Sequence, residues 1–194
     1  ICLVFEVYVA PRVIHAFPTR RSCGLQGAFQ CSFFRVYTTP DVIGVELGGA
    51  LKNVVAIAAG VSDGFGLGDN AKSALITRGL AEISRLGVAM GADAQTFAGL
   101  SGMGDLVTTC FSKHSRNRAV GERLAQGMSV EEALAASPMV AEGVRTTRSA
   151  YALAEKYGVE MPITQQVYGV LFDGADPEQA VARLMTRDAK AEQG

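Results

Sequence analysis

After residue 40, apolar positions recur every three to four residues almost to the end of the chain, the spacing of amphipathic helices. Just before that point, Phe33, Phe34, Val36 and Tyr37 predict a short strand over 33–38, closed by Pro40. Val42, Val45, Leu51, Val54, Val55 and Ala58 predict a long helix from Asp41 to about Gly60, ended by the glycine-rich run from Gly60 to Gly68. Asp69 or Asn70 is placed to cap the next helix, which runs to about Gly91 and a glycine stop. Shorter helices are predicted over 103–110, over 116–126 behind Ser115, and over 130–136 behind Ser129, where Glu132 completes a capping box. The last three are predicted over 144–157, over 163–172 after Pro162, and over 177–188 with Pro177 at the first position. No repeat and no strand beyond residue 40 is read. The body is all-α.

Residues 1–34 show another pattern. They alternate poorly, and Pro11, Pro18 and the run from Thr19 to Gly24 interrupt any element. They hold 6 of the 14 aromatics, three of the four cysteines and a net charge of +2, against −3 for residues 35–194. That contrast divides the chain into an atypical segment, 1–34, and a helical domain, 35–194. The segment is read as solvated loop or as a junction foreign to the helical domain. Ile1 in place of Met is the start expected of a piece of a longer reading frame. Ile1 to Ala10 is apolar apart from Glu6, yet ten residues fall short of the about 20 that cross a bilayer. It also lacks the basic start of a signal peptide.

Composition removes several functions. Hydrophobic residues at 48% and charged residues at 19% are those of a folded chain. A net charge of −1 leaves no basic field for nucleic acid, and 7% aromatics without Trp give few stacking platforms. The cysteines at 2, 23, 31 and 110 form no CxxC pair, and histidine occurs only at 15 and 114, so no metal site is expected. A reducing cytoplasm is the compartment these cysteines imply.

Three places could carry chemistry. In the helix over 41–60, only Glu46, Lys52 and Asn53 are strongly polar between Val42 and Val61. A membrane span would bear that Glu and Lys at high cost, so a buried core helix is expected. Lys52 has no carboxylate three or four residues away. Burial without a partner is how a lysine becomes an acid–base group near neutral pH, although it can also snorkel to the surface. Gly48 and Gly49, one turn earlier, let a ligand or a backbone approach. In Leu100-Ser101-Gly102-Met103-Gly104-Asp105, the Gly-x-Gly follows no strand and fails as a dinucleotide fingerprint. Asp105 either caps a helix or pairs with Lys52. In Ser112-Lys113-His114-Ser115-Arg116-Asn117-Arg118, Ser115 caps a helix whose first turn holds Arg116 and Asn117. Free N–H groups and the cations Lys113, Arg116 and Arg118 there suit a phosphate, or else form a solvated basic turn.

Gly44-Val45-Glu46-Leu47-Gly48-Gly49-Ala50-Leu51-Lys52-Asn53-Val54, then Gly102 to Leu106, then Ser115-Arg116-Asn117, then Val140-Ala141-Glu142-Gly143-Val144 occur in that order along the chain. Together they closely resemble the bacterial-type NAD(P)-dependent glycerol-3-phosphate dehydrogenase, from about Arg35 to about Lys190. The resemblance implies the helical C-terminal substrate domain shared by 6-phosphogluconate and glycerol-3-phosphate dehydrogenases, with a short β vestige ahead of it. It implies that Lys52 is the catalytic lysine at the substrate's C2 oxygen. It further implies that Asp105, Ser115, Arg116 and Asn117 bind glycerol 3-phosphate, and that Arg116, Val140 and Glu142 reach NAD(H) or NADP(H). The family's Rossmann domain, which holds most of that cofactor, is not recognisable in residues 1–34, so this chain is expected to be inactive alone. The whole enzyme would reduce dihydroxyacetone phosphate for phospholipid synthesis. The alternatives are a dehydrogenase of another hydroxy acid sharing the helical domain, or a non-catalytic helical module. The long apolar helices leave room for a homodimer face.

Overall fold

The computed structural model describes residues 2–7, 17–18, 22–137 and 139–187. Strand β1 (Cys2–Val7) pairs antiparallel with the two-residue β2 (Phe17–Pro18) on one side and β3 (Phe34–Thr39) on the other. Helix α1 (Ser22–Phe29) precedes β3, and Gln26 donates to the Val36 carbonyl at 2.9 Å. The strand expected over 33–38 is therefore present. The expectation that nothing regular forms before it is corrected: partners distant in sequence decide a strand, and β1 finds them in β3.

Ten helices follow the sheet or lie beside it among the described residues: α2 (Val42–Gly64), α3 (Gly68–Ala89), α4 (Ala94–Ala98), α5 (Asp105–Phe111), α6 (Arg116–Ala125), α7 (Val130–Ala135), α8 (Glu142–Tyr157), α9 (Pro162–Phe172) and α10 (Pro177–Met185), with α1 the tenth. Their starts match the chemistry of the sequence. Asp41 accepts from the Gly44 amide at 2.9 Å to cap α2, and its second oxygen takes the Asp93 amide at 2.9 Å and the Thr96 hydroxyl at 2.6 Å. Burial opposes the charge on Asp41, but these donors outweigh it and hold the carboxyl below its usual range. Ser129 and Glu132 form the reciprocal capping box of α7, and Pro162 and Pro177 open α9 and α10.

Several expected boundaries move, these three among them. α2 passes through Gly60 and ends at Gly64; at Gly60 a Cβ would overlap the Arg118 carbonyl where α6 crosses. That glycine serves close approach and does not stop the helix. α3 starts at Gly68 without a side-chain cap, since the positive φ values of Gly66 (65°) and Gly68 (85°) turn the chain sharply, leaving Asp69 in the first turn. α10 ends at Met185 and not at 188, which lies outside the described residues.

α2 is the axis of the domain. By length and a mean hydropathy of 1.6 it could cross a membrane, yet α3, α5, α6, α8 and α9 pack around it, as expected of a core helix. Leu51, Val54, Val55, Ala56, Ile57 and Ala59 are buried against Ile76, Ile83, Leu106, Val120 and Val167 from those neighbours.

Glu82 of α3 is 2% exposed and tethers α9. Its carboxyl accepts from the amides of Ile163 (2.7 Å) and Thr164 (3.2 Å) and from the Thr164 hydroxyl (3.3 Å), capping α9 from another helix. Burial pushes the acid from its ordinary 4.5 up to about 7, against the pull of the amides and of Arg85. A raised acid contributes stability that is complete below its unfolded value and is lost as pH rises through the folded one. The midpoint of thermal unfolding should therefore fall between pH 4.5 and 7.5 more steeply in the parent than in Glu82→Gln. Parallel curves for the two proteins would show that Glu82 titrates normally.

Candidate active site

Lys52 projects from the middle of α2 with its side chain 8% exposed. Its ammonium donates to Asp105 Oδ2, at the first position of α5. Asp105 makes no capping bond, so of its two readings the structure shows the ion pair with Lys52. The wide π-helical turn Leu100–Gly104 delivers Asp105 to that place. It comes close because α2 is bare there: a Cβ on Gly48 would stand 2.6 Å from the Ser101 carbonyl oxygen, whereas Gly49 faces open space. Gly48 thus admits backbone and Gly49 leaves room beside the lysine. Thr109, one turn along α5, holds its hydroxyl 2.6 Å from the Asp105 carbonyl and 3.4 Å from Oδ1.

The second part of the site is built from two helix N-termini. Ser115 caps α6 by accepting the Arg118 amide at 3.3 Å. Asn117, 7% exposed, donates to Asn53 Oδ1 at 2.8 Å and accepts the Gly143 amide at 2.9 Å. It thereby caps α8 and joins α6 to the residue after Lys52. Arg116 is exposed and donates to the Val140 carbonyl at 3.0 Å, which binds the two first turns a second time. Val140 and Glu142 lie on the same exposed rim. The first turns of a 10-residue and a 16-residue helix therefore meet beside Lys52. Unpaired amides and two dipoles there favour an anion.

Arg118 does not join that rim. Its Nε donates to Asp63 at 2.5 Å and its Nη2 to Glu122 at 2.8 Å, so the expectation that it helps attract an anion is corrected: its charge is neutralised inside. The cations left on the rim from that run are the exposed Lys113 and Arg116. Sequence reading also passed over Asn53, Thr109, Asp63 and Lys72. Asn53 carried a signal, being strongly polar in an apolar helix, and Thr109 sits four residues after Asp105, on the same face.

A cavity of about 1140 Å³ lies elsewhere, between the second half of α2 and α3, α9 and α10. Its walls are mainly apolar, and neither Lys52 nor Asp105 lines it.

Residues 41–182 match the sequence model of a family described as the NAD-dependent glycerol-3-phosphate dehydrogenase C-terminus. The chain belongs to this family. Among relatives, the glycerol-3-phosphate dehydrogenase [NAD(P)+] of Pelotomaculum thermopropionicum is 63% identical over 163 residues, covering 84% of this chain and 47% of its own length. That of Geobacter metallireducens is 62% identical over 170 residues, covering 88% and 51%. The crystal structure of the Coxiella burnetii glycerol-3-phosphate dehydrogenase superposes with a TM-score of 0.83 at 45% identity, over 89% of this chain and 53% of that one. The yeast enzyme GPD1 gives 0.75 at 29% identity, over 83% and 47%. The chain spans about half the length of the curated relatives it matches, and the shared part is the helical C-terminal domain of the glycerol-3-phosphate dehydrogenase family. The fold expected from the resemblance, all-α behind a short β vestige, is the one observed.

Proposed function

We propose that this chain supplies the substrate-binding and proton-handling domain of an NAD(P)-dependent oxidoreductase that converts dihydroxyacetone phosphate to sn-glycerol 3-phosphate. The observation that carries the reading is the Lys52–Asp105 pair standing beside two converging helix N-termini. A small phosphorylated ketone fits that layout, with its phosphate on the Ser115-Arg116-Asn117 turn and its C2 oxygen toward Lys52. Lys52 gives a proton to the oxygen as alkoxide character develops, and Asp105 keeps the ammonium aimed. The nicotinamide, when bound, supplies the hydride to C2.

The residues present fit one edge of a dinucleotide. Arg116, Val140 and Glu142 form an exposed rim able to touch it. The sheet among the described residues is antiparallel and contains no βαβ phosphate loop, so most of the cofactor surface falls to a separate N-terminal domain. We assign residues 35–194 to the substrate domain and 1–34 to a segment of other composition that joins it through the pairing of β1 with β3. The wider assignment is to phospholipid synthesis in the cytoplasm. The free thiols Cys31 and Cys110 suit a reducing compartment. The long apolar helices leave room for a homodimer, with exposed Leu67, Val88 and Met185 as apolar candidates for its face.

Inorganic phosphate or sulfate should bind the Ser115-Arg116-Asn117 turn without cofactor. A charge-assisted hydrogen bond contributes about 1.5–3 kcal/mol, so Arg116→Ala should weaken the anion about 10- to 100-fold in calorimetry. Unchanged affinity would place the phosphate elsewhere.

A further inference from the structure

Asp63 lies in the last turn of α2, eleven residues after Lys52. At about 100° per residue that is within roughly 20° of three whole turns, so the two share a face. Each Asp63 oxygen is taken by a different helix. Lys72 of α3 reaches Oδ1 at 2.5 Å, and Arg118 of α6 reaches Oδ2 at 2.5 Å. Lys72 is 6% exposed and also sits 4.7 Å above the ring of Phe111, which closes α5. One carboxylate therefore ties α2 to α3 and α6 directly, and through Lys72 to α5. Three of these helices carry Lys52, Asp105 and the Ser115–Asn117 turn.

Stability alone is a weak reason for such a cluster. A buried ion network is often matched or bettered by apolar side chains of similar volume. What it does supply is geometry, because a charged carboxylate gripping two cations admits few arrangements. The Asn53–Asn117 bond and the close backbone approach at Gly60 and Gly121 lay α6 along α2. Arg118 on Asp63 adds a charged, directional anchor within the first turn of α6 itself.

We propose that Asp63 is a positioning residue that sets the span between the anion-binding turn and Lys52, and so selects a phosphate ester of the right length over free phosphate. This rests on the proposed function. It assigns Asp63, Lys72 and Arg118 no contact with substrate.

The test compares two probes on the 194-residue protein, inorganic phosphate and glycerol 3-phosphate, by calorimetry. Phosphate needs only the turn, whereas the ester needs the turn and the Lys52–Asp105 pair at once. In the parent the ester should bind at least tenfold tighter. Asp63→Asn should keep phosphate affinity within threefold and shrink the advantage of the ester to less than threefold. A residue that only stabilised the fold would weaken both probes together or neither. Glu122→Gln, which removes the outer partner of Arg118, should leave the ratio as in the parent. If Asp63→Asn does not fold, Arg118→Lys decides: it keeps the charge, loses the fork, and should give a ratio between the two. A parent-like ratio in Asp63→Asn or Arg118→Lys overturns the positioning role. Equal affinity for both probes in the parent overturns the proposed substrate span itself, and this inference with it.

Discussion

Lys52→Met, in a full-length chimaera with a family dinucleotide-binding domain joined ahead of Arg35, should lower kcat by about 10²- to 10⁴-fold, the usual worth of general acid–base catalysis. Cofactor affinity should barely change, since the rim able to touch the dinucleotide is formed by Arg116, Val140 and Glu142 and not by Lys52. Met fills a similar volume without charge and keeps the helix. The substitution strands Asp105, whose side chain is 13% exposed, so Lys52→Met with Asp105→Asn separates a lost proton donor from an unpaired carboxylate. Lys52→Arg should fail as well, because a guanidinium does not release its proton at working pH. The deciding measurement is kcat of Lys52→Met across the pH range. A value within threefold of the parent would make the lysine structural.

A large loss of stability should come from a single methyl group. A Cβ on Gly121 would overlap the Ile57 carbonyl and press on the Val61 amide, where α6 crosses α2. Helix propensity favours Ala over Gly by about 1 kcal/mol, but overpacking costs about 1–3 kcal/mol or more, and here the obstacle is backbone that cannot turn aside. With the cost at the top of that range, Gly121→Ala should be destabilised by about 2 kcal/mol net in urea unfolding. Gly49→Ala is the opposite case. Nothing stands within 4 Å of its Cβ, so it should gain up to about 1 kcal/mol from the same propensity. A gain of stability in Gly121→Ala as well would show that α2 and α6 do not meet as closely as described.

These two glycines show what the chain states openly and what it withholds. Local signals carry the helix starts: Asp41, Ser115, Ser129, Pro162 and Pro177 each open a helix where their chemistry says one should. Lys52 was legible because a charge in an apolar helix is conspicuous. Its partner was legible only as one of two readings, since nothing local distinguishes a capping Asp105 from a paired one. The role of Gly60 was not legible at all. A stop glycine and a close-approach glycine look alike until the crossing helix is known. The same holds for Asp63, whose partners are 9 and 55 residues away and lie on other helices. Contacts that join elements leave no periodic trace in the sequence.

The helix at the axis of the domain also sets a problem of timing. Among the described residues, the helices that pack on α2 (α3, α5, α6, α8 and α9 foremost) come after it in the chain. During synthesis its 23 residues are made before any of their cover. At roughly 5–20 residues per second, α6 is finished some seconds after α2, and α9 later still. For that interval a segment apolar enough to enter a bilayer stands in water. The nascent chain therefore needs a holding factor, or must collapse early onto α3, and the order of its helices makes α2 the first place where slow translation would lead to aggregation.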